Sequence, residues 1–199
     1  METLIIIDVQ NDFMPGGSLA VPEGDEIVPV INGIQSRFDL IIATQDWHPP
    51  DHKSFASNHE GKNPFETVDL NGIEQTLWPD HCVQGTSGAE MHPDLDVHRI
   101  EAVFRKGMDP EIDSYSGFFD NRRGKSTGLT GYQREKGAEH LNFCGLAGDI
   151  CVYYSLMDAL HEGFRSTLVE NAVRALDRSD FENAKAAIAG RGAAIVNLS

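Results

Sequence analysis

Apolar runs too unbroken to leave one face in water place the strongest constraint on how this chain can fold. They are "LIII" at 4–7, "LIIAT" at 40–44, "AVF" at 102–104, "LNFCGL" at 141–146, "STLV" at 166–169 and "AAIVNL" at 193–198. Runs this short and this rich in Ile, Val and Leu fit strands covered on both faces, as in parallel sheets. Between several of them the apolar spacing becomes helical: Ile27, Val30, Ile31 and Ile34, then Val152, Leu156, Ala159 and Leu160, then Phe181, Ala184, Ala187 and Ile188. Pro29 belongs in the opening turn of the first helix, the only place a helix tolerates it. Ser179 and Glu182 are spaced as a capping box at the start of the last. Strands alternating with helices predict right-handed crossovers and a mostly parallel sheet with helices on both faces. Ligands of such sheets gather at the carboxyl ends of the strands.

The 199 residues read as a single domain spanning 1–199, with 40% apolar content sufficient for one core. No apolar stretch approaches the roughly 20 residues that span a bilayer, and the N-terminus lacks the layout of a secretory signal, so a soluble, cytoplasmic protein is expected. A formal charge of −15 repels phosphate backbones and anionic membranes, which argues against nucleic-acid and membrane partners. The odd, sparse set of Cys82, Cys144 and Cys151 leaves at least one thiol free.

One interval breaks the strand–helix rhythm. From Gln45 to Arg99 the chain is rich in Pro, Gly, Asn and Asp, shows little periodicity, and holds six of the eight histidines. A long irregular stretch inside a compact domain is usually functional or disordered, and the histidines favour function.

Three side chains close separate apolar runs on the ligand-binding edge. Asp8 follows "LIII", Lys106 follows "AVF", and Cys151 follows "LNFCGL" after the turn Gly145–Asp149, where a helix is expected from about Ile150. A cysteine in a first helical turn meets unpaired N–H groups and the positive end of the macrodipole, which favour thiolate. A thiol nucleophile, a carboxylate that moves protons and a cation that steadies charge make a workable acyl-transfer set. Cys144, inside its strand, reads as space-filling, and Cys82 has no assigned role.

A second set lies in the histidine-rich interval. In "TQDWHPPDH" Asp46 and His48 are two residues apart at a strand end, so their side chains point the same way, and "LWPDHCVQGT" adds His81. One carboxylate and two imidazoles suit an open site for Zn, Fe or Mn. His52 is near enough to be a fourth or neighbouring ligand, although a solvated loop residue is the simpler expectation. Cys82, adjacent to His81, points away on an extended chain and is left out.

Taken in order, "IIIDVQNDF", "GGSLAV", "TQDWHP", "SFA", "WPDHCVQGT", "RKG", "DSYSGFFDN" and "GLAGDICV" resemble the nicotinamidase family of the isochorismatase-like hydrolases, from one end of the chain to the other. The resemblance implies a three-layer α/β/α fold around a six-stranded sheet. It also implies hydrolysis of nicotinamide to nicotinate and ammonia through a cysteine thioester, in NAD salvage, with pyrazinamide as a further substrate. It implies a catalytic triad of Asp8, Lys106 and Cys151, and one divalent ion, Zn or Fe with Mn as an alternative, on Asp46, His48 and His81. It implies a pocket formed by Phe13, Trp78, Tyr115 and Leu146, and no nucleotide cofactor. A cis peptide between Leu146 and Ala147 is implied too, with an oxyanion hole made by the N–H groups of Ala147 and Cys151. One departure stands out: Gly148 occupies a position where the family commonly has Thr. Two rival readings remain open, hydrolysis of another small amide by the same triad and a non-catalytic metal-binding module. Subunit number is open as well.

Overall fold

A computed structural model describes residues 1–199. In chain order the elements are β1 (Glu2–Ile7), α1 (Ile27–Ile34), β2 (Leu40–Asp46), β3 (Thr67–Leu70), β4 (Ile73–Thr76), β5 (Ala102–Lys106) and α2 (Leu129–Glu135), and then β6 (His140–Gly145), α3 (Tyr153–His161), β7 (Arg165–Val173), α4 (Arg178–Gly190) and β8 (Ala194–Val196). Six strands form one sheet in the order β5-β2-β1-β6-β7-β8, and every pairing in it is parallel.

Alternation along each strand builds the three layers. Leu4 and Ile6 of β1, with Ile41 and Ala43 of β2, pack against Ile27, Val28, Ile31 and Ile34 of α1 on one face. Ile5 and Ile7, with Leu40 and Ile42, pack on the other face against Leu156 and Ala159 of α3 and Ile188 of α4. Side chains one residue apart on a strand leave opposite faces, so an unbroken apolar run feeds two cores at once. The chain winds outward from β1 through β2 to β5, then returns to place β6 on the opposite side of β1. The crevice of an open α/β sheet lies at such a reversal, outside the carboxyl ends of the strands. Asp8 and Cys151 follow the two strands that flank it.

Three local features differ from the sequence expectation. The N-cap of α4 is Asp177, whose carboxylate accepts from the N–H groups of Ser179 and Asp180, so the Ser179–Glu182 box does not form. An acceptor placed just ahead of the helix meets the orphan N–H groups first. Helix α2 carries no clear helical pattern, because "LTGYQRE" offers few apolar residues and a central glycine. The interval 45–99 is not structureless: β3 and β4 form a hairpin around Asn71 and Gly72, both with positive φ, and the bridges His48–Val83 and Phe55–Trp78 tie its loops together.

Candidate active site

Lys106 organises the carboxyl edge of the sheet. It ends β5 directly opposite Asp46 in the β2–β5 ladder. Its Nζ lies 2.8 Å from Asp46 Oδ1, 2.8 Å from Asp8 Oδ2 and 3.5 Å from Cys151 Sγ, and it also donates to the carbonyl of Ser114 at 3.1 Å. All four side chains are buried. The carboxylate oxygens of Asp8 and Asp46 and the sulfur of Cys151 fall within 4.8 Å of one another. Asp8, Lys106 and Cys151 are therefore brought together from three strand ends, and one ammonium serves both sets of residues singled out in the sequence.

Asp8 sits just past β1 with φ 48°, a left-handed conformation that costs little for Asp and turns its carboxylate into the crevice. Thr44 Oγ1 donates to Asp8 Oδ1 at 2.6 Å, while Oδ2 has Lys106 as an ionic neighbour but no donor in hydrogen-bonding alignment. A lone pair is left facing the thiol. Burial pushes the Asp8 carboxyl up from its ordinary value, against the opposing pull of Lys106. Burial also pushes the Cys151 thiol well up, and the neighbouring carboxylates add to what Lys106 cannot cancel. The pull toward thiolate expected of a first helical turn is thus opposed by desolvation, and the turn itself is π-helical over Gly148–Val152, leading into α3.

Asp46, His48 and His81 converge beside this group. Asp46 Oδ2 lies 3.3 Å from His48 Nε2 and 3.7 Å from His81 Nε2, and all three residues are buried. His48 Nδ1 lies 2.9 Å from the Gly107 carbonyl, and His81 Nδ1 lies 2.7 Å from the Pro79 carbonyl. A carbonyl only accepts, so each Nδ1 carries a proton and each Nε2 turns toward Asp46. With Nε2 deprotonated on both rings, as a metal requires of its ligands, three acceptors face one point, an arrangement that a divalent cation satisfies. The donors fit a metal. Burial works to raise the Asp46 carboxyl, but Lys106 and His48 prevail and hold it well below its usual range.

The supports of this set carry no signal of their own in the sequence. Gln10 fastens the Asp46 backbone at both ends, accepting its N–H at 2.8 Å and donating to its carbonyl at 2.8 Å. Asp12 accepts the N–H of Cys82 at 2.7 Å and so fixes the residue after His81, where φ is 47°. Gly107 has φ 67°, and a Cβ there would lie 2.4 Å from the His48 ring, so only glycine lets the imidazole seat. His52 is fully buried rather than solvated. Its Nδ1 accepts from the Ser54 N–H at 3.1 Å, its Nε2 has no partner, and burial pushes its pKa down to about 4. It groups with His48 and Asp113 instead of joining Asp46 and His81.

A pocket opens beside both sets, bordered by Cys151 of one and by Asp46, His48 and His81 of the other. Phe13, Trp78, Tyr115, Ala147 and Cys151 line it, and so do Leu19, Asp113, Ile150 and Leu176. Trp78 Nε1 donates to the Tyr115 hydroxyl at 3.3 Å, which fixes the indole against the opening. Leu146 does not line the cavity. It is fully buried in the core beneath α1, because it continues the alternation of β6 and its side chain leaves toward that face. The Leu146–Ala147 peptide is cis. The N–H of Ala147 donates to no protein acceptor and borders the cavity, while its carbonyl accepts from Ile150 and Val152. Cys144 and Cys82 are buried away from the opening.

The family model described as the isochorismatase domain matches residues 2–199. The nicotinamidase of Acinetobacter baylyi is 49% identical over 174 residues, 87% of this chain and 81% of that protein. A solved Acinetobacter baumannii nicotinamidase and pyrazinamidase superposes with a TM-score of 0.96 at 43% identity, covering 98% of this chain and 95% of that one. The Pyrococcus horikoshii pyrazinamidase, solved in complex with zinc, gives a TM-score of 0.81 at 36% identity and covers 99% of both chains.

Proposed function

The chain belongs to the isochorismatase domain family, and on that premise we propose that it hydrolyses nicotinamide to nicotinate and ammonia, and pyrazinamide in the same way. The single observation that carries the reading is the meeting of Asp8, Lys106 and Cys151 beneath a pocket that Cys151 lines together with Phe13, Trp78 and Tyr115. Relatives named for both substrates support it.

The ring lies between Phe13 and Trp78 with its carboxamide carbon beside Cys151. Asp8 Oδ2, unaligned with any donor, takes the thiol proton as sulfur attacks; its raised pKa makes it a willing acceptor and later a willing donor. Lys106 holds charge constant nearby, so the proton moves without creating an isolated buried ion. The tetrahedral oxygen is received by the N–H groups of Ala147 and Cys151, and one such donor is worth about 3–4 kcal/mol in the transition state. Asp8 returns its proton to the departing ammonia. It then deprotonates the water that opens the thioester, releasing nicotinate and restoring the thiol.

Asp46, His48 and His81 would hold one divalent ion, with Zn favoured by the zinc complex of a relative and Fe or Mn the alternatives. Bound there, it would supply a Lewis-acid point that attracts the ring nitrogen and orients the substrate. The unit acts as one domain over residues 1–199, and the match over residues 2–199 supports this. Three unpaired cysteines support a reducing compartment, the cytoplasm.

Ammonia release from nicotinamide by the purified, metal-loaded protein tests the reading. Cys151→Ala is expected to abolish turnover and retain nicotinamide binding by calorimetry. Turnover at the wild-type rate in that variant removes the thiol from the chemistry.

A further inference from the structure

At Gly148 the nucleophile turn packs closely against side chains of β7 and α4. A Cβ placed there would fall 2.7 Å from Phe181 Cε2 and 2.7 Å from Val173 Cγ1. Its φ is not left-handed, so space alone, and not backbone conformation, demands glycine. The other fastenings of the turn are hydrogen bonds. Leu146 N–H donates to Ile7 at 2.9 Å and Gly148 N–H to Arg174 at 2.8 Å, while the Asp149 carboxylate accepts from Leu176 at 3.0 Å and Asp177 at 2.9 Å.

Phe181 stands in the first turn of α4, anchored by the Asp177 cap. Lys185, one turn on, holds its ammonium 5.1 Å from the Phe181 ring centroid and is itself fixed by Glu170 at 2.6 Å and Glu182 at 2.9 Å. The ring is therefore held between a tethered cation and the Cα of Gly148.

We propose that Phe181 is a positioning residue for the oxyanion hole: its ring, braced by Lys185, sets the Cα of Gly148 and through it the direction of the Ala147 and Cys151 N–H groups. This rests on the role given to those N–H groups above. A displacement of even part of an ångström there weakens hydrogen bonds made only in the transition state. Phe13, Trp78 and Tyr115, which hold the ring of the substrate, stand on other segments and make no use of Phe181.

Steady-state ammonia release from nicotinamide, measured well below each variant's Tm, tests this with Phe181→Ala, Phe181→Leu, Gly148→Ala and the double variant Phe181→Ala/Gly148→Ala. The expected result for Phe181→Ala is a kcat loss of roughly 10- to 100-fold with KM within about twofold and metal content unchanged. Gly148→Ala alone is expected to lose kcat by collision with the ring and with Val173. The double variant, in which the methyl and Val173 Cγ1 share the vacated space, is expected to keep a kcat about fivefold or more above the value that multiplying the two single losses gives. A Phe181→Ala protein with wild-type kcat and only a lowered Tm overturns the role, as does strict multiplicativity of the two changes. Should Phe181→Ala fail to fold, Phe181→Leu alone and with Gly148→Ala carries the same comparison: a kcat loss partly relieved in the double variant supports the role, and wild-type kcat or strict multiplicativity overturns it. A wild-type protein inactive on nicotinamide overturns the functional reading instead, which separates the two failures.

Discussion

Asp8 and Asp46 end neighbouring parallel strands, are both buried, and both lie 2.8 Å from the same ammonium, yet their carboxyls are driven in opposite directions. Burial raises Asp8 by more than Lys106 draws it back, and the charge of Asp46 adds a smaller upward push. Burial opposes Asp46 too, but Lys106 and the imidazole of His48 overcome it. The difference lies in what stands behind each carboxylate: a thiol and a hydroxyl behind one, two imidazoles behind the other. One cation cannot neutralise two buried anions, so the group with the richer surroundings keeps its charge and the other becomes the place where a proton can come and go.

Replacing each carboxylate by its amide breaks this comparison most forcefully. Asp8→Asn is expected to lower kcat/KM by roughly 100- to 10,000-fold, the usual reach of a proton-transferring group. Its thermal stability at pH 7 is expected to hold or rise. A carboxyl with a raised folded pKa contributes stability below its unfolded pKa and forfeits it as pH climbs through the folded value, so at pH 7 nothing favourable is lost. Asp46→Asn does the reverse. A depressed carboxyl contributes stability above its unfolded pKa, and removing it breaks a buried ion pair worth about 3 kcal/mol, a Tm fall of roughly 6–12 °C for a chain of this size. Equal Tm losses in the two melts would show the carboxylates to be equivalent.

Removing the metal sharpens the contrast on the Asp46 side alone. Chelated protein is expected to show a KM for nicotinamide raised roughly 10- to 100-fold, by analogy with the loss of a well-placed ligand shell, and restored by added Zn. An unchanged KM in protein shown by elemental analysis to be metal-free would deny the ring-orienting role.

The sequence disclosed which residues end strands, because an apolar run followed by one ionisable side chain marks the edge of a buried sheet. That is why Asp8, Asp46 and Lys106 were visible. It did not disclose that Asp46 and Lys106 face each other in the ladder, since register between distant parallel strands depends on pairing that no local pattern records. Gln10, Thr44 and Asp113 were silent for a related reason: each is an ordinary polar residue whose meaning comes from a partner tens of positions away. The hairpin around Asn71-Gly72 was different. Its turn signal was present and was overshadowed by the irregular composition around it. Leu146 misled because a position next to the nucleophile turn does not reveal which face a side chain leaves by.

The smallest expected effect tests the Asp8 side most finely. Thr44 Oγ1 donates to Asp8 Oδ1 at 2.6 Å and accepts the Asp8 N–H at 3.2 Å, and it makes no hydrogen bond to Asp46 or the imidazoles. Thr44→Val keeps the shape, including the methyl that packs toward Gly117, and removes only the hydroxyl. Because that hydrogen bond favours the ionised carboxylate, its loss raises the Asp8 pKa further. In the proposed mechanism Asp8 must be deprotonated to receive the thiol proton, so activity is expected to emerge as pH rises through its pKa. The acid limb of kcat/KM is therefore expected to move to higher pH, with the plateau within about tenfold of wild type and metal content unchanged. A pH–rate profile whose acid limb stays in place would mean that the proton leaves Cys151 for some other group, and the distinction between the two carboxylates would lose its catalytic meaning.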